Sequence, residues 1–193
     1  MTESRLEDAA ITAADVPGLR ADTAHDSTGI MTRTLTASSG GPACTEFLNA
    51  SNASADTYHP SSELGRAFIT HTAAGTMKIR VSWVGHASPT DAQRVINDTR
   101  SSAKGCPRLT DEDGQQRMSL APLSQPVMGD DSTVVRVGLI SGRLSECATV
   151  GLVRVGTVSL TVTVFAHDGY YPQILQEVAK ASVSKLQKAQ RST

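Results

Sequence analysis

Aromatic side chains are scarce in this 193-residue chain, which has one Trp, three Tyr and three Phe. Ala, Val and Leu must therefore fill most of any interior. Long apolar runs are missing as well. No stretch reaches the roughly 18 consecutive apolar residues that a membrane-spanning helix needs. An excess of charge is missing too: Lys and Arg total 18, Asp and Glu 19, for a formal net charge of −1. Basic residues come singly, so nothing resembles the basic face of a nucleic-acid binder. The opening "MTESRLEDAAITAADVPG" is polar and acidic, without the apolar core of a signal peptide. Two readings of location follow: a cytosolic protein that starts at Met1, or an exported one whose leader lies upstream.

Cysteine is also rare. Cys44 lies in "GPACTEFLN", Cys106 in "AKGCPRL" and Cys147 in "LSECATV". They are 62 and 41 residues apart with no C-x-x-C, and His25, His59, His71, His86 and His167 are scattered. That spacing does not fit a structural metal, and no cofactor is expected. Spacing alone leaves open whether the cysteines are ligands, nucleophiles or a staple. Catalytic motifs are missing in the same way. "GLISGRLS" puts Ser141 beside Gly142 but lacks the first Gly of a nucleophile elbow, and it reads as a hairpin connection. Cys147 opens a strand and reads as an inert filler. Asp168, in "AHDGYY" with His167, reads as a helix N-cap. "GDD" at 129–131 reads as an acidic turn, since no EF-hand spacing follows. Asn49-Ala-Ser51 and Asn52-Ala-Ser54 match glycosylation acceptors, which carry meaning only in a eukaryotic secretory pathway.

What remains fits a single domain, or one domain with two lobes at about 27–106 and 132–190. A helical turn is expected over 6–14, ended by Pro17-Gly18. Met31, Arg33 and Leu35 alternate with Thr32, Thr34 and Thr36, as in a strand. "CTEFLNASNAS" reads as a short helix and "ADTYHPSSELG" as irregular. "RAFITHT" and "TMKIRVSWV" read as a hairpin turning at positions 74 and 75. In the second strand Ile79, Val81 and Trp83 share one face, while Lys78, Arg80 and Ser82 share the other. "SPTDAQRVINDTRSSAKG" reads as a helix with its cap near Ser88 or Thr90 and a buried stripe of Ala92, Val95, Ile96, Thr99 and Ala103. Residues 107–132, rich in Pro and Gly, read as a long loop or inter-lobe connection. Three strands follow, "STVVRVGLIS", "CATVGLVRV" and "TVSLTVTVF", the last two joined at Gly156-Thr157. The final helix buries Leu175, Val178, Ser182, Leu186 and Ala189. Strands precede helices without βαβ alternation, so the expected class is α+β. Its sheet is antiparallel, with helices packed on one face and a cleft between two lobes.

Several segments, in order, resemble the PknH-like sensor domain, an extracytoplasmic module of actinobacterial lipoproteins and receptor Ser/Thr kinases. They are "ITAADVPGL", "PACTEFLN", "DAQRVINDTRSSAKGCPRL", "VRVGTVSL" and "VAKASVSKLQ". The resemblance covers nearly the whole chain. It implies an exported, oxidised domain with a cleft that binds a ligand and does no chemistry. It also implies a disulfide between Cys44 and Cys106, which match that family's helix-flanking pair. Two departures stand out. "AKG" precedes Cys106 where the kinase members tend to carry a Trp, and Cys147 has no partner for a second bridge.

The leading functional expectation is a cell-envelope sensor or binding lipoprotein. It would hold an unknown small molecule or envelope component, and would meet the membrane only through a lipid anchor upstream. A cytosolic cyclase or other pocket enzyme on the same scaffold is the alternative, since shape and one or two polar groups suffice there. A module that modulates a membrane kinase is the third. The candidate ligand-binding residues are Arg80, Trp83, Arg136 and His71. Arg80 and Arg136 each interrupt a strand, and an unpaired Arg must reach solvent, a carboxylate or a ligand. Trp83 reads as core or as a stacking platform. The cleft is expected where the two strand groups meet, beside 107–132.

Overall fold

The computed structural model describes residues 1–28, 35–73 and 75–191. Its helices are α1 (Glu3–Ala9), α2 (Pro42–Ser51), α3 (Ala55–Tyr58), α4 (Pro89–Gly105) and α5 (Pro172–Arg191). The short strands are β1 (Arg20–Ala21), β2 (Ser27–Thr28) and β5 (Arg108–Thr110). The longer ones are β3 (Ser62–Thr72), β4 (Gly75–Gly85), β6 (Gln116–Leu123), β7 (Asp131–Ser141), β8 (Leu144–Val155) and β9 (Val158–Ala166). All belong to one antiparallel sheet, ordered β1-β3-β4-β9-β8-β7-β6-β5, with β2 also on β3. β4 pairs with β9, so the strands of 27–106 and those of 132–190 share this sheet. The class is α+β, as the strand pattern predicts.

Helices cover both faces of the sheet rather than the one expected. On one face Ile79, Val81, Trp83, Leu160, Val162 and Val164 pack with Leu6 of α1 and Leu175, Val178 and Leu186 of α5. On the other, Val135, Val137, Val150 and Leu152 pack with Phe47 and Leu48 of α2 and Val95 and Ile96 of α4. The cause is in the strands. β7 and β8 carry buried apolar residues at consecutive positions, Val134 with Val135 and Leu152 with Val153. Successive side chains point to opposite faces, so both faces are apolar there and both need cover.

The helix ends follow local chemistry. Ser88 caps α4: its Oγ accepts from the Asp91 N–H at 3.2 Å and donates to the Asp91 carboxylate at 2.7 Å. Pro89 occupies the first turn, and the predicted stripe from Ala92 to Ala103 is buried. α2 starts at Pro42 after two glycines. Gly40 has φ +95°, and a Cβ there would fall 2.4 Å from the Cys44 Sγ, so this approach requires glycine.

Several local expectations are corrected. The first helix ends at Ala9, and only a 3-10 turn, Ala13–Asp15, follows it. α3 and the start of β3 occupy the stretch expected to be irregular. Residues 107–132 contain β5 and β6. Their pattern is weak because β6 is near the sheet edge, and Pro122 falls beyond the part of β6 that β5 pairs. Asp168 does not cap α5: it accepts from the Tyr171 hydroxyl at 3.0 Å, and the helix begins at Pro172. Ser141 ends β7 at a hairpin, as expected. The strand expected from Met31 falls mostly on 29–34, outside the described residues.

Candidate functional site

A cavity of about 270 Å³ lies between α2 and the sheet, on the face that α4 also covers. Its roof is Phe47, Leu48, Ser51 and Asn52 of α2. Its floor crosses β4, β9, β8 and β7 and reaches Met118 of β6. It therefore spans the β4–β9 junction, where the two groups of strands meet. Two linkages hold the roof in place. The Cys44–Cys106 disulfide joins the first turn of α2 to the residue after α4. The buried Asn49 amide donates to the Leu35 carbonyl at 2.7 Å and accepts from the Leu35 N–H at 2.9 Å.

The floor changes character in mid-sheet. On β7 and β8 it is Val137, Leu139, Ala148 and Val150. On β9 and β4 it is Thr161, Thr163, Ser82 and Arg80, with Glu63 beyond on β3. One row of paired residues shows the change: Arg80 stands opposite Thr163, and Thr163 opposite Val150. The Ser82 hydroxyl donates to Glu63 at 3.2 Å. The Arg80 guanidinium donates to the Ser27 Oγ at 3.2 Å. Ser27 reaches that position because β3 has Gly65 beneath it. A Cβ at Gly65 would fall 2.2 Å from the Ser27 hydroxyl oxygen.

A second cavity of about 190 Å³ adjoins the first, and Arg80 and Phe165 line both. Lys78, His25 and Asp22 also line it. The His25 Nδ1 is 2.8 Å from the Asp22 carboxylate.

Of the four candidate binding residues, Arg80 lines the cavity. His71 is on the same face of β3 but opposite Thr76, where its ring contacts Arg20 and Thr76. That is four residues along β4 from Arg80, about 13 Å. Trp83 is wholly buried on the opposite face, in the core with α1 and α5. Arg136 is on that opposite face too, with its guanidinium 5.5 Å from the centre of the Tyr170 ring. The structure does not bring these four together. Thr161 and Thr163 of β9, which alternate with Leu160, Val162 and Val164, are floor residues. The signal for them was the Thr-x-Thr opposite a Val/Leu face, together with a glycine inside β3. Neither distinguishes a wet surface from a cavity without knowing that α2 lies above.

No protein-family model matches the chain, and no curated protein matches it in sequence. Among solved structures, the chain is similar to the extracellular domain of PknH from Mycobacterium tuberculosis. The TM-score is 0.70 at 12% identity, covering 97% of each chain. It is also similar to the Rv0999 ortholog from Mycobacterium smegmatis, with a TM-score of 0.50 at 9% identity, covering 95% of this chain and 94% of that one. The fold is thus that of a PknH-like sensor domain, as the sequence resemblance implies.

Proposed function

We propose that this chain is a non-catalytic ligand-binding domain of the sensor type, working outside the cytoplasm and holding a small molecule between α2 and the sheet. The observation that carries this reading is the cavity itself: apolar at one end, hydroxylated and charged at the other, and roofed by a disulfide-anchored helix. Ligand sites are usually concave and mostly apolar, with a few placed polar groups. The disulfide supports an oxidising compartment, where such bonds persist. Attachment to the envelope through a lipid group upstream, and service to a membrane kinase, belong to the same proposal and rest on the family resemblance.

The test is a titration with 1-octanol, a neutral probe whose size matches the cavity, followed by backbone amide shifts. Saturable shifts around Phe47, Leu48, Val150 and Thr163 are expected, and Val150→Phe, which fills the floor, should abolish them. Shifts that are absent in the wild-type protein, or that survive in a folded Val150→Phe, would sink the reading.

A further inference from the structure

We infer that the ligand of this cavity is a single-chain amphiphile of about ten non-hydrogen atoms, whose anionic head sits at Arg80 and Lys78. The inference rests on the proposed ligand-binding reading and adds the chemical class of the ligand. Size sets the first limit. A volume of about 270 Å³ holds about nine groups the size of a water molecule, at roughly 30 Å³ each.

Charge placement sets the head. Arg80 and Lys78 are two residues apart on β4 and so point to the same face. Both are exposed, and Arg80 is shared by the two adjoining cavities. A guanidinium carries five N–H donors. One hydrogen bond from that of Arg80, to Ser27, is seen among the described residues. No carboxylate among the described residues lies within ion-pair distance of Arg80 or Lys78. Nearby acids have other partners. The Asp22 carboxylate is held by His25. Glu63 lines the same polar end, but its carboxylate accepts from the Ser82 hydroxyl at 3.2 Å, two residues along β4 from Arg80.

The tail follows from the row that starts at Arg80. Across β9 and β8 that row reads Arg80, Thr163, Val150, a change from charge through hydroxyl to hydrocarbon over two strand spacings, about 10 Å. A carboxylate or phosphate ester at Arg80 would therefore lay its chain over Val150 toward Val137, beneath Leu48. A cationic head would meet Arg80 and Lys78 unfavourably, and a neutral one would leave their donors to water.

The test is a comparison of octanoate, 1-octanol and octylammonium at pH 7, by amide shifts and calorimetry on the intact chain. Octanoate is expected to bind about tenfold more tightly than 1-octanol, the gain of one charge-assisted contact, and octylammonium most weakly. Arg80→Gln should abolish the preference for octanoate over 1-octanol measured in the same variant, while Arg80→Lys should keep part of it. Octyl phosphate binding in place of octanoate would keep the anionic head and identify it as a phosphate ester. Equal or tighter binding of 1-octanol or octylammonium, or an octanoate preference that survives in Arg80→Gln, would overturn the head assignment while leaving the cavity as a site. Failure of every probe to bind would overturn the ligand-binding reading itself.

Discussion

Cys44, in the first turn of α2, and Cys106, directly after α4, form a buried disulfide with their Cα atoms 5.0 Å apart. It joins the roof of the cavity to the longer helix beside it. Closing a 62-residue separation stabilises the fold by about 4 kcal/mol in the chain-entropy model. Replacing both cysteines with alanine should lower the unfolding free energy from urea titration by that amount, and the midpoint with it. It should also weaken 1-octanol binding, because α2 then loses an anchor. An unchanged midpoint would mean that the bridge contributes nothing to stability.

Trp83 should behave as core. It is fully buried among α1, α5 and the sheet, on the face away from the cavity. Trp83→Ala should cost about 3–5 kcal/mol, as an emptied large core site does. Trp83→Phe should cost less, since the indole Nε1 is buried with no hydrogen-bond partner among the described residues. Both variants should keep the cavity shifts if they fold. Loss of ligand binding in a stable Trp83→Phe would contradict this placement.

Arg136 is exposed against the Tyr170 ring on that same far face. Arg136→Ala should change stability by no more than about 1 kcal/mol, the scale of an exposed cation–π contact, and leave binding intact. A tenfold loss of affinity in this variant would place the ligand on the wrong side of the sheet.

Much of this was legible in the sequence. The stripe of α4 and the alternation of β4 and β9 identify themselves, because an amphipathic element advertises its period. The double burial of β7 and β8 did not, since a run such as "STVVRVGLIS" shows only that residues are apolar, not which layer covers each face. β6 stayed hidden for a different reason: a strand next to the sheet edge, mostly exposed and carrying a proline, has little pattern to read. At the site, Arg80 was found because charge inside a strand is conspicuous. Thr161 and Thr163 were missed because a hydroxyl facing a cavity looks the same, in sequence, as one facing water.

His86 gives a pH dependence. It is 2% exposed, with its Nε2 2.8 Å from the Ser159 hydroxyl. Burial pushes its pKa below the usual 6.5, and the Tyr58 backbone and then the attraction of Asp91 only partly oppose this. The folded state therefore keeps the ring neutral while the unfolded chain protonates near 6.5. Stability from this group is complete above that pH and is lost as pH falls toward the lower folded value. Asp131 acts in a separate, more acidic window. Burial alone would raise its pKa, but bonds from Arg100, Gln93 and the Ser132 N–H outweigh burial and hold it below 3.8. Between pH 8 and 5 the melting temperature should fall, and a His86→Gln variant should flatten that fall. Parallel curves for the two proteins would assign the effect elsewhere.

The cavity is tested most directly by intermolecular NOEs between bound 1-octanol and methyl groups of the protein. The account predicts contacts from the terminal methyl of the probe to Leu48, Val137 and Val150, which face one another across the space between α2 and the sheet. Contacts confined to Ile140 and Leu144, the exposed apolar side chains at the β7–β8 hairpin, would show that the probe reads a surface patch and that the cavity is not the site.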